Sequence, residues 1–260
     1  MSRLRVALVQ MEVTDGDPAR NLTHAERLID TEPGAGLYLL PELWSSGYVH
    51  PQWPAIAQGS TPATLTALKR IATKHRTVIG GTLISLNADG KLVNRFWLVS
   101  ADGPIAHYDK SHLFAPMQEP AYLTAGTARH RVTLGSWTAA LSICYDLRFP
   151  EMYRLDAVDG ANLFLVPSEW PAERAEAMRA LAVARAIENQ AYVVLTNRVG
   201  VAADGTEFGG GSLVVGPGGE VVAAAGAAQG VVLADLDSSC VTESRGAQPH
   251  FARRRAGVDW

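Results

Sequence analysis

Short apolar runs of strand length alternate along this chain with segments whose apolar residues recur every three or four positions, and that alternation restricts the fold more than any other feature. Leu4 to Val9 is the first such run, and its near-continuous apolar character predicts a strand buried on both faces. Asp17-Pro18 then sets a capping side chain before a proline at the first helical position, and Leu22, Ala25, Leu28 and Ile29 follow at helical spacing. Leu37 to Leu40 is a second strand, stopped by Pro41-Glu42 because proline has no N–H to give a central ladder. Thr61-Pro62 opens another helix through Leu65, Leu68, Ile71 and Ala72, and Thr77 to Ile84 returns as a strand. Leu92 to Val99 and Ile105 to Tyr108 read as paired strands around the Ala101-Asp102-Gly103 turn.

The second half repeats this grammar. Thr138 to Ile143 predicts a buried strand ending at Cys144, and Phe149-Pro150-Glu151 starts a helix toward Gly160. Asn162 to Val166, a helix from about Glu173 to Asn189, and Tyr192 to Asn197 form a further alternation. Ser212 to Val215 and Glu220 to Ala223 flank Gly216-Pro217-Gly218-Gly219 as a hairpin, and Val231 to Leu236 is the last strand. No internal repeat or composition break divides the chain, so the expectation is one α/β domain over residues 1–237. A polar tail, 238–260, closes on Asp259-Trp260 and reads as a subunit-contact arm.

At 260 residues with 47% hydrophobic content the chain can bury a sizeable core without disulfides. Its two cysteines, Cys144 and Cys240, cannot make a disulfide framework, which favours a reducing compartment. The opening apolar run meets Glu12 and Asp15 too soon for a signal peptide or membrane span, so a cytoplasmic protein is expected. A net charge of −3 offers no field for a phosphate backbone, and nucleic acid is not expected as a partner. The cluster Arg253-Arg254-Arg255 is read as a solvated or subunit-contact segment.

Glu42, Lys110 and Cys144 all fall just past the ends of apolar strands, where open α/β sheets set their ligand crevices. Taken singly, each has an ordinary explanation: a core thiol, a first-turn carboxylate, a solvated lysine. Metal spacings are missing, the cysteine-protease signatures do not surround Cys144, and Gly209-Gly210-Gly211 is no phosphate fingerprint.

The local sequences are more specific. Leu39-Leu40-Pro41-Glu42-Leu43-Trp44, Tyr108-Asp109-Lys110-Ser111-His112-Leu113-Phe114 and Ser142-Ile143-Cys144-Tyr145-Asp146-Leu147-Arg148-Phe149-Pro150-Glu151 resemble, in order, the three signature segments of the nitrilase superfamily. The segment from Ala184 to Tyr192 is also similar to the family's pattern, and the resemblance runs from about Arg5 to Leu236.

That resemblance implies an α-β-β-α sandwich and a carbon–nitrogen hydrolase with a Glu-Lys-Cys triad, needing no metal or organic cofactor. Cys144 would be the nucleophile, its pKa lowered by the elbow and the following helix N-terminus. Glu42 would carry the proton in both directions, Lys110 and the Tyr145 N–H would form the oxyanion hole, and Glu119 matches a second family glutamate that positions lysine or substrate. Tyr48, Phe114, Arg148 and Trp170 are expected to line the substrate pocket, with Glu151 a possible orienter of the elbow.

Within the family, Pro167-Ser168-Glu169-Trp170-Pro171 looks most like the ω-amidase branch, which hydrolyses dicarboxylate monoamides such as 2-oxoglutaramate; relatives take deaminated glutathione or N-carbamoyl compounds. Arg148 or Arg174 would meet a substrate carboxylate, and Glu169 would oppose it. A homodimer or larger homo-oligomer is also implied. The non-enzymatic alternative, a catalytically idle scaffold subunit, is disfavoured by the intact Glu42, Lys110 and Cys144.

Overall fold

The computed structural model describes residues 3–255. One six-stranded sheet is built from β1 (Arg3–Gln10), β2 (Leu37–Leu39), β3 (Val78–Leu86), β4 (Leu92–Ser100), β5 (Gly103–Asp109) and β14 (Gly230–Asp237), in the order β14-β1-β2-β3-β4-β5. The other contains β6 (Arg131–Leu134), β7 (Trp137–Leu141), β8 (Leu163–Ser168), β9 (Tyr192–Asn197), β12 (Leu213–Val215) and β13 (Val221–Ala224), in the order β13-β12-β9-β8-β7-β6. A separate two-stranded ribbon, β10 (Val199–Val201) with β11 (Glu207–Gly209), projects after β9.

Strand alternation sorts the two faces of each sheet. In β1, Val6 and Leu8 point between the sheets and pack with Leu141, Leu165 and Leu195, while Ala7 and Val9 face the outer helices. Those helices are α1 (Pro18–Thr31) and α3 (Thr61–His75), which supply Ala25, Leu28, Ile29, Leu68, Ile71 and Ala72. Burying each of these leucines and isoleucines contributes roughly 1.5–3 kcal/mol before entropy is counted. Asp17 caps α1 by accepting from the Arg20 N–H, as the Asp17-Pro18 pair predicts. Against the second sheet lie α5 (Pro150–Val158) and α6 (Ala175–Asn189), through Tyr153, Ala157, Met178, Ala182 and Ala186. The result is the expected α-β-β-α sandwich. Short turns α2 (Trp53–Ala55) and α4 (Glu119–Tyr122) lie in the connecting loops.

In each sheet three strands run parallel, β1-β2-β3 and β7-β8-β9. Consecutive parallel strands deliver their C-terminal ends to the same edge. The two edges meet where the Glu42 N–H, beyond β2, donates to the Ser168 carbonyl that ends β8, at 3.3 Å.

Some elements differ from the sequence reading. The helix expected from Phe149-Pro150-Glu151 does start at Pro150, but the residues between it and the strand, Cys144–Arg148, form a 3₁₀ turn that the sequence reading did not give. The ribbon β10–β11 and the edge strand β6 were not foreseen, being short and flanked by glycine or polar residues. The polar tail forms α7 (Ser238–Ala247), capped by Asp237 and anchored by buried Val241 and by Gln190, whose Nε2 donates to the Ser244 carbonyl at 2.7 Å. Met1, Ser2 and the pair Asp259-Trp260 lie outside the described residues. Among the described residues no helix is long and apolar enough to cross a membrane.

Candidate active site

Glu42, Lys110, Glu119 and Cys144 converge in the core, between 0 and 6% exposed. Lys110 follows β5, and its backbone is fixed twice: its N–H donates to the Asn94 carbonyl at 2.9 Å, and its carbonyl accepts from Gly126 at 2.8 Å. Gly126 is required by contact, since a Cβ there would fall on the Asp109 carbonyl oxygen. The ammonium of Lys110 sits between two carboxylates, 2.7 Å from Glu42 Oε1 and 2.8 Å from Glu119 Oε1. Asn94 Nδ2 donates to the same Glu42 oxygen at 2.8 Å, and the Glu169 N–H donates to Glu42 Oε2 at 3.0 Å. Tyr48 donates to Glu119 Oε1 at 2.7 Å, and the Phe114 N–H donates to Glu119 Oε2 at 2.6 Å.

Cys144 sits on a strained turn. Its φ of +42° is left-handed, a conformation that costs a non-glycine residue roughly 1–2 kcal/mol. Leu43 and Gln118, each beside a site carboxylate, are left-handed as well; Arg76 and Gln190, the remaining non-glycine cases among the described residues, are ordinary C-caps of α3 and α6. Asp146 holds the turn. It accepts from the Ile143 N–H at 2.9 Å, from Tyr108 at 2.8 Å and from the His112 N–H at 3.0 Å, and pairs with His112 Nδ1 at 2.7 Å. One buried carboxylate therefore ties the cysteine elbow to the loop that carries Lys110.

Electrostatics follow from burial. Burial pushes the Cys144 thiol well above the ordinary cysteine range, and the nearby Glu42 charge adds to this while Lys110 and the Glu169 backbone N–H oppose it. The lowering expected from a helix N-terminus does not hold, because the short 3₁₀ turn lacks an α-helix dipole and desolvation dominates. Glu42 is likewise raised, by burial first, against the pull of Lys110. Burial disfavours the Lys110 charge, but Glu119 and Glu42 outweigh it and hold the ammonium above the ordinary lysine range. The resting arrangement is a fixed cation beside a thiol and a carboxyl of raised proton affinity, poised to exchange one proton.

Cys144 opens to a narrow slot of about 10 Å³, room for one water, lined by Phe114, Tyr145, Arg148, Glu169, Trp170 and Arg174. Beyond Phe114, Pro171 and Arg174 it meets an outer cavity of about 420 Å³. Arg148 stacks over Trp170, with 4.9 Å from guanidinium to ring centroid, and Arg174 lies over Phe114 at 5.7 Å. The Trp170 backbone is held by Asn197, whose Oδ1 accepts the Trp170 N–H at 2.7 Å.

Of the residues predicted from sequence, Phe114, Tyr145, Arg148 and Trp170 line the slot, and Tyr48 lies behind it on Glu119. Glu151 is exposed in the first turn of α5 and does not line the slot. Glu169 is buried and paired with Arg198 at 3.1 Å, and burial raises its carboxyl to about 8 against the pull of Arg198, so it opposes a substrate carboxylate less than an ordinary glutamate would. Sequence reading missed Asn94, Asp146, Asn197 and Arg198. Asn94 interrupts an apolar strand, and Arg198 directly follows one, where the strand-end rule used for Glu42 could have caught it.

Comparison with known proteins adds to this geometry. Residues 5–245 match the family described as Carbon-nitrogen hydrolase. A Bacillus subtilis protein named 2-oxoglutaramate amidase is 34% identical over 248 residues, covering 95% of each chain. An Escherichia coli protein named Omega-amidase YafV is 36% identical over 247 residues, covering 94% of each. Among solved structures, a CN-hydrolase superfamily protein from Xanthomonas campestris with an arsenic adduct in its active site superimposes with a TM-score of 0.93 over 100% of both chains, at 29% identity.

Proposed function

Since the chain belongs to the carbon-nitrogen hydrolase family, we propose that it is a cysteine-dependent ω-amidase, releasing ammonia from the terminal amide of short dicarboxylate monoamides such as 2-oxoglutaramate. The observation that carries this reading is the Lys110 ammonium held 2.7 Å from Glu42 beside the buried Cys144, with the slot opening on the thiol.

In this reading Glu42 takes the thiol proton as Cys144 attacks the amide carbon. A carbon–sulfur bond forms, and the carbonyl π electrons move onto oxygen. The oxyanion is met by the Lys110 ammonium and the Tyr145 N–H, which lies in the first turn of a 3₁₀ segment where backbone donors lack intrahelical partners. One such donor is commonly worth about 10²–10³ in turnover. Glu42 returns the proton to nitrogen, the carbon–nitrogen bond breaks and ammonia leaves a thioester on Cys144. Water, deprotonated by Glu42, then releases the acid and restores the thiol; general-base help of this kind contributes about 10²–10⁴-fold. Glu119 stays out of the proton relay. Its Oε1 accepts from Lys110 and Tyr48 and its Oε2 from the Phe114 N–H, so in this reading it serves to fix the lysine.

The Bacillus subtilis and Escherichia coli relatives carry ω-amidase-type names, and we assign the same substrate class. Arg148 and Arg174 in the slot wall supply cations for the distal carboxylate. Ammonia release from 2-oxoglutaramate and succinamate, set against deaminated glutathione and N-carbamoyl amines, tests the assignment; negligible rates on the first two overturn it.

Cytoplasmic location and a homodimer belong to the same proposal. The exposed Leu155, Val158 and Ile187 of α5 and α6 lie beside the tail, where His250 reaches the Ile187 carbonyl and Phe251 packs under Arg154. This face, with the tail as its arm, is the proposed subunit contact, and light scattering of a Leu155→Glu variant as monomer is the expected result.

A further inference from the structure

Behind the slot lies a buried charge pair that the mechanism above does not use. Glu169 directly follows β8, and the Ser168-Glu169 pair is clasped to Glu42 in both directions: the Glu42 N–H donates to the Ser168 carbonyl at 3.3 Å, and the Glu169 N–H donates to Glu42 Oε2 at 3.0 Å. The Glu169 side chain points away to Arg198, which follows β9 and is 1% exposed. Arg198 Nη1 donates to Glu169 Oε1 at 3.1 Å and lies 3.5 Å from Asp15 Oδ1; Nη2 donates to the Val13 carbonyl at 2.9 Å, and the guanidinium stacks on Phe208 at 4.5 Å. Val13 and Asp15 follow β1 in the first sheet, and Glu169 and Phe208 belong to the second half of the chain. Arg198 thus bridges the segment after β1 and the segment after β8. Glu169 Oε2 has no hydrogen-bond partner among the described residues, so Arg198 is the one anchor of that carboxyl among them.

We propose that Arg198 is a positioning residue for the proton carrier: through Glu169 it fixes the backbone N–H that holds Glu42 Oε2 and so sets the orientation of the Glu42 carboxyl. This rests on Glu42 being the proton carrier. The geometry separates the side chain's task from its charge. Any group at 169 that still accepts from Arg198 keeps the N–H in place, whereas an apolar one frees the segment. Displacements of about 1 Å in such a positioned group cost on the order of 10²-fold in rate. Arg198 does not line the slot, so substrate binding is not its concern.

The test compares Glu169→Gln, Glu169→Leu, Arg198→Lys and Arg198→Met in steady-state kinetics and in iodoacetamide labelling of Cys144 read by intact mass. Glu169→Gln, which keeps the acceptor, should lose at least about 3-fold less in kcat and in labelling rate than Glu169→Leu. Glu169→Leu and Arg198→Met should lose at least about 10-fold in kcat and in labelling rate with KM changed less than about 3-fold, and the double variant should be no worse than either single one. Arg198→Lys, retaining one of the two donors, should fall between. Three results overturn the proposal: Glu169→Gln as damaging as Glu169→Leu, KM rather than kcat carrying the change, or additive single losses. Should the apolar variants not fold, Arg198→Lys still decides, since wild-type kcat and labelling there overturn the proposal. Labelling needs no substrate, and a Glu42→Gln control that leaves it unchanged would fail the catalytic reading separately.

Discussion

Replacing Lys110 by methionine removes the cation but keeps the stem, and its consequences can be worked from the site. Two carboxylates, Glu42 and Glu119, lie 2.7 and 2.8 Å from the ammonium with side chains wholly buried. Taking away one partner of a buried ion pair costs about 3–5 kcal/mol, because the charges left behind have neither water nor a counter-ion. The loss depends on pH with a definite sign. Glu42 is already raised above its ordinary value by burial, and Lys110 is the main group opposing that rise. In the variant its folded-state proton affinity increases further, so the folded protein binds a proton that the unfolded chain releases near pH 4.5. Because the wild-type Glu42 is itself raised, stability relative to wild type falls only as pH rises from the wild-type value of Glu42 toward the variant's higher one, at up to about 1.4 kcal/mol per pH unit for one such group. Urea unfolding near pH 5 and near pH 8 reads the difference: the wild-type-minus-variant gap should be larger at the higher pH. A gap equal at both pH values would mean that the carboxylates find water or another partner, and the picture of a dry charge cluster would be wrong. The same variant should lose about 10²–10³-fold or more in kcat, since an oxyanion donor goes with the stability.

Other perturbations follow from single contacts. Asp146→Ala removes the acceptor shared by Ile143, Tyr108 and His112; it should cost about 2–4 kcal/mol and slow Cys144 labelling, measured by denaturation and intact mass. Gly126→Ala drives a methyl onto the Asp109 carbonyl, and about 1–3 kcal/mol of lost stability with reduced kcat is expected from overpacking next to Lys110. Arg148→Ala combined with Arg174→Ala should raise KM for 2-oxoglutaramate by at least about 10-fold, the weight of a lost charge-assisted contact, and affect a neutral amide such as butyramide far less. Equal effects on both would remove the arginines from carboxylate recognition.

The strand and helix grammar was legible because burial on a sandwich imposes periods of two and 3.6 on the residues themselves: Val6 and Leu8 against Ala7 and Val9 on β1, Leu28 and Ile29 on α1. Strand-end position marked Glu42, Lys110 and Cys144, and the surrounding segments tied them to a family. The proton affinity of Cys144 was not legible. A helix following it in sequence suggests a stabilised thiolate, but the distance to that helix and the dryness of the cavity decide otherwise. Nor could sequence tell which groups Asn94, Asp146 and Arg198 hold, since Glu42, Tyr108, His112 and Glu169 lie far from them in the chain.

Periodicity and strand ends are local properties of the chain, and they sufficed to mark Glu42, Lys110 and Cys144 as candidates and to assign the layers that cover them. Only the tertiary structure decided how Glu42 is held, with its partners drawn from β4, the loops after β5 and the end of β8. Distances, desolvation and shared hydrogen bonds exist only once the two sheets have closed on each other, and these are the quantities that set where a proton sits.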